Sequence, residues 1–158
     1  MAVPVPSLSL GTQPVEQAVI EPSLLAAYLA AGYRVDTVPP FVMRVGQPCP
    51  PLADLLRRHH CGSAAYLTAW NPRSAKLPVA QNVEAQARLV QDVAAAGYRW
   101  YDGVSNDPTG DWPQEPSVLV LGLSRERARE LARAYEQNAF LWTELDAQGT
   151  VEPALVVV

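Results

Sequence analysis

Amides, carboxylates and two of the four tryptophans are the side chains of this sequence best suited to chemistry, and they lie in separate short segments. An amide donates and accepts hydrogen bonds, a carboxylate exchanges protons, and an indole ring packs against a flat ligand. The residues that we predict to bind a ligand are Trp70, Asn71, Asn82, Asp107, Trp112, Glu115 and Gln137. The set is suited to holding a small polar ligand or a protein segment without catalysis, and we favour this function.

Catalysis by these segments would depend on carboxylates, because the two histidines, His59 and His60, precede them along the chain. Glu115 is the candidate general acid or base, with Asp102 or Asp107 as the second choice. The alternative function is therefore a small enzyme of the hydrolase or transferase type, in which amides orient the substrate. The residue types leave open whether the protein is an enzyme.

Each of these residues also has a purely structural interpretation. Asn71 precedes Pro72, which disfavours helical backbone at the residue before it, so we expect an extended turn that Asn71 closes. Asn82 would cap or tether the start of a helix, and Gln137 would bridge Asn71 and its loop. The tryptophans would pack in the core, and the amides together would form a buried network that only fixes the fold.

Motifs for cofactors and metals are absent from the sequence, which has no GxxxxGK[ST], GxGxxG, HExxH, CxxC or GxSxG. We therefore predict no cofactor. The nearest approach to a metal site is the run His59-His60-Cys61, with Cys49 upstream. Adjacent residues at a helix end point in different directions, so we predict no metal site and interpret the run as a polar helix terminus.

Composition restricts the class of protein. The chain has 158 residues, a net charge of -4 and 49% hydrophobic residues, which predicts one globular domain and argues against broad nucleic-acid binding. Two cysteines suit a reducing compartment, no basic residue precedes Arg34, and no apolar run is long enough to cross a bilayer. We predict a soluble cytoplasmic protein, and the excess of Ala, Pro and Arg over Lys favours a bacterial source.

The order of predicted elements indicates the fold. A loose tail over residues 1–20 precedes a single domain over residues 21–158, which begins with a helix, a β-hairpin and a second helix. From residue 63 the order is strand, helix, strand, strand, helix, strand, which is typical of a ferredoxin-like core, and a final strand follows at an edge. We predict an α+β, single-domain, two-layer sandwich with a ferredoxin-like βαββαβ core.

This topology would gather the polar residues. The strand ending near Thr68 would lie beside the strand that starts near Ser117, and the strand after Gln137 would arrive at the same edge. A further strand would end at this edge with Asp102-Gly103, and the long helix would begin there. We therefore expect the predicted ligand residues to converge on one edge of the sheet.

An ordered series of motifs resembles a known family. The motifs are "TAWNP", "QNVEAQARLV", "GY" at 97–98, "DPTGDWPQEPSVLVLGLS" and "QNAFLW". Together they resemble DUF3293, a bacterial family of unknown function, from about Tyr33 to Trp142. The resemblance implies a small single-domain bacterial protein with no established activity, and it transfers no catalytic residues.

Two other features favour a protein partner. Arg125, Arg129 and Arg133 recur at helical spacing and form a basic stripe, with Glu126 and Glu130 beside it. The apolar end "VEPALVVV" would form a strand that either packs within the fold or pairs with a second copy. A third hypothesis is therefore a protein-interaction subunit acting through the stripe or this strand. The chain would be a monomer or a homodimer.

Overall fold

The computed structural model describes residues 20–158, so the predicted tail over residues 1–20 lies almost wholly outside the described residues. The helices in this part of the chain are α1 (Pro22–Ala30), α2 (Pro50–Arg58), α3 (Val79–Ala95) and α4 (Arg125–Ala134). The strands are β1 (Gly32–Val35), β2 (Phe41–Met43), β3 (Ser63–Leu67), β4 (Trp100–Asn106), β5 (Glu115–Leu121), β6 (Ala139–Glu144) and β7 (Ala154–Val157). None of the helices described over residues 20–158 is long and apolar enough to cross a membrane.

One seven-stranded sheet joins these strands in the order β2-β1-β4-β5-β3-β6-β7. Every neighbouring pair is antiparallel. The α+β class predicted from the sequence is confirmed. The hairpin predicted on either side of Pro39 is confirmed as well, because β1 pairs with β2 and Tyr33 lies opposite Met43. The final strand lies at a sheet edge, as the proline before it predicts.

Helices cover both faces of the sheet, so the predicted two-layer arrangement is wrong. Alternate residues of a strand point to opposite faces. Ala64 and Tyr66 of β3 pack in one cluster with the buried leucines of α2, whereas Ala65 and Leu67 pack in another with α3 and α4. Both faces of the central strands are apolar, and α2 has an apolar face of its own that must be buried. The result is three layers.

Local sequence signals explain where the helices begin. Prolines occupy the first turns of α1 and α2, where a missing N–H costs no hydrogen bond. The hydroxyl of Ser124 accepts a hydrogen bond from the Arg127 N–H and caps α4, as predicted.

Strand β4 runs three residues further than the predicted end at Gly103. Turn-forming residues after Gly103 indicated a loop, but β1 and β5 pair with both sides of this segment and extend it to Asn106. Ser105 therefore lies opposite Glu115 within the sheet. Asp102 consequently lies in the middle of a strand instead of at its end.

Candidate functional site

A partly enclosed cavity of about 80 Å³ lies where several strands end. Its walls come from α1, the start of β1, the ends of β3 and β4, the starts of β5 and β6, and the loops between them. One buried water needs roughly 10–15 Å³ of cavity volume, so this cavity has room for several waters or a small organic ligand. The cavity is therefore the natural candidate for a binding site.

Most of the predicted ligand residues meet in this cavity. Those that line it are Asn71, Asp107, Trp112, Glu115 and Gln137, together with Thr68 and Ser117. Trp70 and Asn82 do not line it, although both contact residues that do. Asp102 is exposed on β4 and does not line it either, since the extension of β4 carries the strand end three residues beyond Asp102. The predicted polar residues therefore lie together at one edge of the sheet, except that Trp70, Asn82 and Asp102 do not line the cavity.

Glu115 is the least satisfied polar group of the cavity. It is the first residue of β5, and its carboxylate has no hydrogen-bond or ion-pair partner among residues 20–158. Burial away from water raises the pKa of this carboxyl to about 7. Near neutral pH both protonation states are therefore populated, and the group is able to exchange a proton or attract a cation.

Three tyrosines form the wall that the sequence interpretation missed. The Tyr33 hydroxyl donates to the backbone oxygen of Tyr28 at 2.6 Å, and the Tyr66 hydroxyl donates to that of Arg34 at 2.8 Å. The Tyr33 and Tyr66 rings meet edge to face with centroids 5.5 Å apart. Burial raises the pKa of all three phenols, and the nearby Glu115 charge adds to the shift for Tyr28 and Tyr33.

Asn71 and Asn82 form a reciprocal pair that shapes the loop before α3. Asn82 accepts from the Asn71 N–H at 2.8 Å through its Oδ1, and its Nδ2 donates to the Asn71 Oδ1 at 2.8 Å. The same Asn71 oxygen also accepts from the Leu77 N–H. The geometry therefore assigns Asn82 the tethering role among its alternatives. Asn71 combines that role with a place on the cavity wall.

The loop after β3 contains residues with left-handed backbone conformations, so the predicted extended turn at Asn71 is wrong. Asn71, Arg73 and Ser74 have φ of 45°, 54° and 60°. Asparagine tolerates this region better than most residues, but Arg and Ser there cost on the order of 1 kcal/mol each. Tertiary contacts impose the conformation: the Arg73 N–H donates to the Glu136 oxygen at 2.7 Å, and Asn138 donates to the Ser74 hydroxyl. Strain of this kind often accompanies a functional site.

Gln137 is held by backbone contacts that differ from the predicted bridge to Asn71. Its Nε2 donates to the backbone oxygens of Trp70 and Tyr135, both at 3.2 Å. Its Oε1 accepts no hydrogen bond from the described residues and remains available to a donor in the cavity.

Asp107 anchors the loop that carries Trp112. Its carboxylate accepts from the backbone N–H groups of Thr109 and Trp112, each at 3.0 Å, and from the Thr109 hydroxyl. The Thr109 N–H and hydroxyl lower the pKa of Asp107, with smaller contributions from Trp112 and Asp111. An anionic carboxylate with its oxygens occupied in this way positions the loop and is poorly suited to acid–base chemistry.

The other sequence features lie outside the cavity. His59 hydrogen-bonds to the Tyr101 hydroxyl at 2.7 Å, and within residues 20–158 no three metal-ligating side chains come close enough to share an ion. On α4 the ion pair joins Arg127 to Glu130 at 2.7 Å. The stripe of Arg125, Arg129 and Arg133 has no ion pair in the described structure.

Fold and site together define an α+β protein with a small, acidic, partly aromatic cavity at one end of its sheet. Residues 67–140 match the model of DUF3293, described as a protein of unknown function, which confirms the predicted resemblance over this segment. The match is shorter than the predicted range from Tyr33 to Trp142. No curated protein and no solved structure matched the chain. All the predicted ligand residues fall inside the matched segment, whereas Tyr28 and Tyr33 fall outside it.

Proposed function

We propose that this protein is a non-catalytic module that binds a small polar ligand in the cavity beside Glu115. The observation that carries the proposal is the half-buried carboxylate of Glu115, which has no partner in the described structure and lines a cavity large enough for a ligand. An ionised group in such a place destabilises the fold unless something compensates for its desolvation, and a ligand would do so.

The arrangement of the walls supports the same proposal. Small-ligand sites combine apolar surfaces with a few convergent polar groups. Here the tyrosine rings and Leu141 supply the apolar surface, while Glu115, Gln137 and Asn71 supply the polar groups. The hydrogen bonds that hold Asn71 and Gln137 are formed within the protein, so these side chains are positioned before a ligand arrives.

A thermal-shift screen with a cavity-filling variant tests the proposal. Ala27 of α1 lines the cavity, and its neighbour Ala26 is exposed on the same helix. Ala27→Phe should abolish the shift that a ligand produces in the wild type, and Ala26→Phe should retain it. A ligand at 100 times its dissociation constant stabilises by about 2.7 kcal/mol, enough to move the midpoint by a few degrees. The proposal fails if no compound gives a shift that depends on Ala27.

A second candidate function is acid–base catalysis by Glu115, and one observation favours it. A carboxyl with a pKa of about 7 is suited to both donating and accepting a proton at neutral pH. Once a ligand is found, Glu115→Gln should preserve its binding but abolish any turnover if the protein is an enzyme. Unchanged turnover in this variant would exclude the catalytic role of Glu115.

Three broader proposals accompany this function. The strand order β4-β5-β3-β6 supports a ferredoxin-like core for the central sheet within one domain. Two free cysteines, Cys49 and Cys61, support a reducing, cytoplasmic location. The interaction-subunit hypothesis, as monomer or homodimer, rests on the arginine stripe and on β7, whose outer edge bears no further strand in the described sheet.

A further inference from the structure

The charges around the cavity are of one sign. Glu115 and Asp107 line it, and the lining contributed by residues 20–158 includes no Lys, Arg or His. Within the described structure, an anionic ligand would therefore meet a negative field that no cationic side chain of the lining offsets.

Only one of the two acids is free to bind a ligand. Both carboxylate oxygens of Asp107 already accept hydrogen bonds, from the Thr109 hydroxyl and from backbone N–H groups. Glu115 has no partner in the described part of the chain, and Gln137 Oε1 also accepts no bond there. The Glu115 carboxylate and Gln137 Oε1 are therefore hydrogen-bond acceptors that no donor of the described residues satisfies. A ligand that satisfies them must bring N–H or O–H groups, and a positive charge would be favoured beside Glu115.

The aromatic walls suit the same kind of ligand. Tyr28, Tyr33, Tyr66 and Trp112 border the cavity. The faces of such rings attract organic cations, and the attraction is stronger when the cation is desolvated. Their apolar surface also binds the hydrocarbon part of a ligand.

We infer that the ligand is a small organic cation: a protonated primary or secondary amine on an apolar or aromatic body, with its ammonium group bound to Glu115. This inference rests on the proposed function and adds the chemical class of the ligand. Ammonium N–H groups would donate to the Glu115 carboxylate and to Gln137 Oε1, and the body would pack against the tyrosines.

Binding of such a cation should strengthen as the pH rises. The other titratable groups that line the cavity are Tyr28 of α1, Tyr33 of β1, Tyr66 of β3 and Asp107 of the loop, and the Glu115 charge acts on Tyr28 and Tyr33. Burial raises the pKa of each tyrosine, so all three phenols stay neutral, and the lowered pKa of Asp107 keeps it anionic. Of these groups, only Glu115 changes charge between pH 5.5 and 8, and an alkylammonium stays protonated there, so affinity should rise on the order of tenfold.

Three probes of one skeleton test the inference on the full chain: benzylamine, benzyl alcohol and benzoate. Their dissociation constants would be measured by NMR titration at pH 8 and pH 5.5. At pH 8 we expect benzylamine to bind at least about tenfold more tightly than benzyl alcohol, and benzoate to bind least. Glu115→Gln should remove the preference for the amine, whereas Glu144→Gln, which alters an exposed carboxylate on β6, should preserve it.

The inference is overturned if benzylamine shows no measurable binding at pH 8, if it binds no better than the alcohol, or if Glu115→Gln retains the preference. These failures differ from a failure of the proposed function. If other compounds give shifts that Ala27→Phe abolishes while amines do not, the cavity binds ligands but the charge assignment is wrong. If no compound gives a thermal shift that Ala27→Phe abolishes, both the proposed function and the inferred ligand class are wrong.

Discussion

At the scale of single residues, Glu115 determines how the cavity is interpreted. Most buried carboxylates in proteins are paired with a cation or with several N–H groups. Glu115 has neither among residues 20–158, and burial alone raises its pKa to about 7. A group of this kind costs stability whenever it is ionised, and its place in the cavity lining is the reason for our proposal that it meets a ligand.

The first prediction concerns the pH dependence of stability. The pKa of Glu115 is raised from 4.5 to about 7 in the folded protein, so the folded state holds its proton more tightly than the unfolded state. Stability from this group is full below pH 4.5 and is lost as the pH rises through 7. Between pH 5 and pH 8 the loss is about 2 kcal/mol. The free energy of unfolding of Glu115→Gln relative to wild type should therefore rise by this amount, as measured by urea denaturation.

Subtracting the wild-type curve cancels the titration of other groups, such as His59. The pKa of His59 is lowered, mainly by desolvation and then by the nearby Arg99 charge. If the difference between Glu115→Gln and wild type does not vary with pH, burial does not raise the pKa of Glu115 and the prediction is wrong.

The second prediction concerns the Asn71–Asn82 pair. Asn71→Gly keeps the left-handed backbone free of strain but removes the side-chain bonds, so it isolates the amide contribution. Asn82→Ala leaves the buried Asn71 N–H without its acceptor. Each variant should lose about 1–3 kcal/mol in urea denaturation. The double variant should lose less than the sum, because both changes break the bond from Asn82 Nδ2 to Asn71 Oδ1. Strict additivity would mean that the two residues act independently.

Sequence reasoning identified the main polar residues of the cavity and Trp112 of its aromatic wall, but it missed the tyrosines. Asn71, Glu115 and Gln137 stand out because polar residues at strand ends have few core roles. Tyr28 lies in an apolar helix and Tyr33 at a buried position of an alternating strand, where a tyrosine is indistinguishable from a core residue. The left-handed backbone of the loop that starts at Asn71 could not be predicted either, since it depends on contacts of Glu136 and Asn138 with Arg73 and Ser74.

At the scale of elements, the close approach of β4 to its neighbours depends on Gly103. A Cβ atom there would overlap the backbone oxygen of Arg34 and lie 2.7 Å from the Tyr66 hydroxyl. The Arg34 contact is with the backbone of β1, so a side-chain movement cannot relieve it. Gly103 is therefore what allows β1 to pair with β4 and complete the cavity wall.

The third prediction follows from this packing. Gly103→Ala should destabilise the protein by more than about 3 kcal/mol, because the β1–β4 pairing must shift. Gly62→Ala is the matched control, since a Cβ at Gly62 has no neighbour within 4 Å. Thermal unfolding followed by circular dichroism would compare the two. A midpoint for Gly103→Ala close to that of Gly62→Ala would contradict the described β1–β4 register.

Element boundaries were predictable only where local signals decide them. The Ser124 cap and the prolines of α1 and α2 are local, and those helices begin where expected. The end of β4 is not local, because β1 and β5 supply the hydrogen bonds that extend it through a segment rich in turn-forming residues.

At the scale of the whole molecule, the cavity is a joint product of two parts of the chain. The segment that matches DUF3293, residues 67–140, supplies Glu115 and the amides. The elements before it, α1 and β1, supply Tyr28 and Tyr33 and close the side that would otherwise be open. The family match alone therefore covers 14 of the 22 residues that line the cavity.

The sequence predicted the α+β class but not the number of layers. The amphipathic pattern of α2 shows that Leu52, Leu55 and Leu56 must be buried, yet it cannot say against which face of a sheet. Strand β3 is apolar on both faces, so helices must cover the sheet on both sides. Only the assembled sheet decides that α2 lies opposite α3 and α4.

The most direct test of the central claim is an NMR fragment screen of the labelled full chain that follows side-chain as well as backbone amides. We predict that hits perturb the Nδ2 group of Asn71 and the Nε2 group of Gln137, together with the backbone N–H groups of Tyr28 and Glu115. Perturbations confined to the α4 arginines or to β7, with the cavity signals unchanged, would contradict the account and would favour an interaction surface instead.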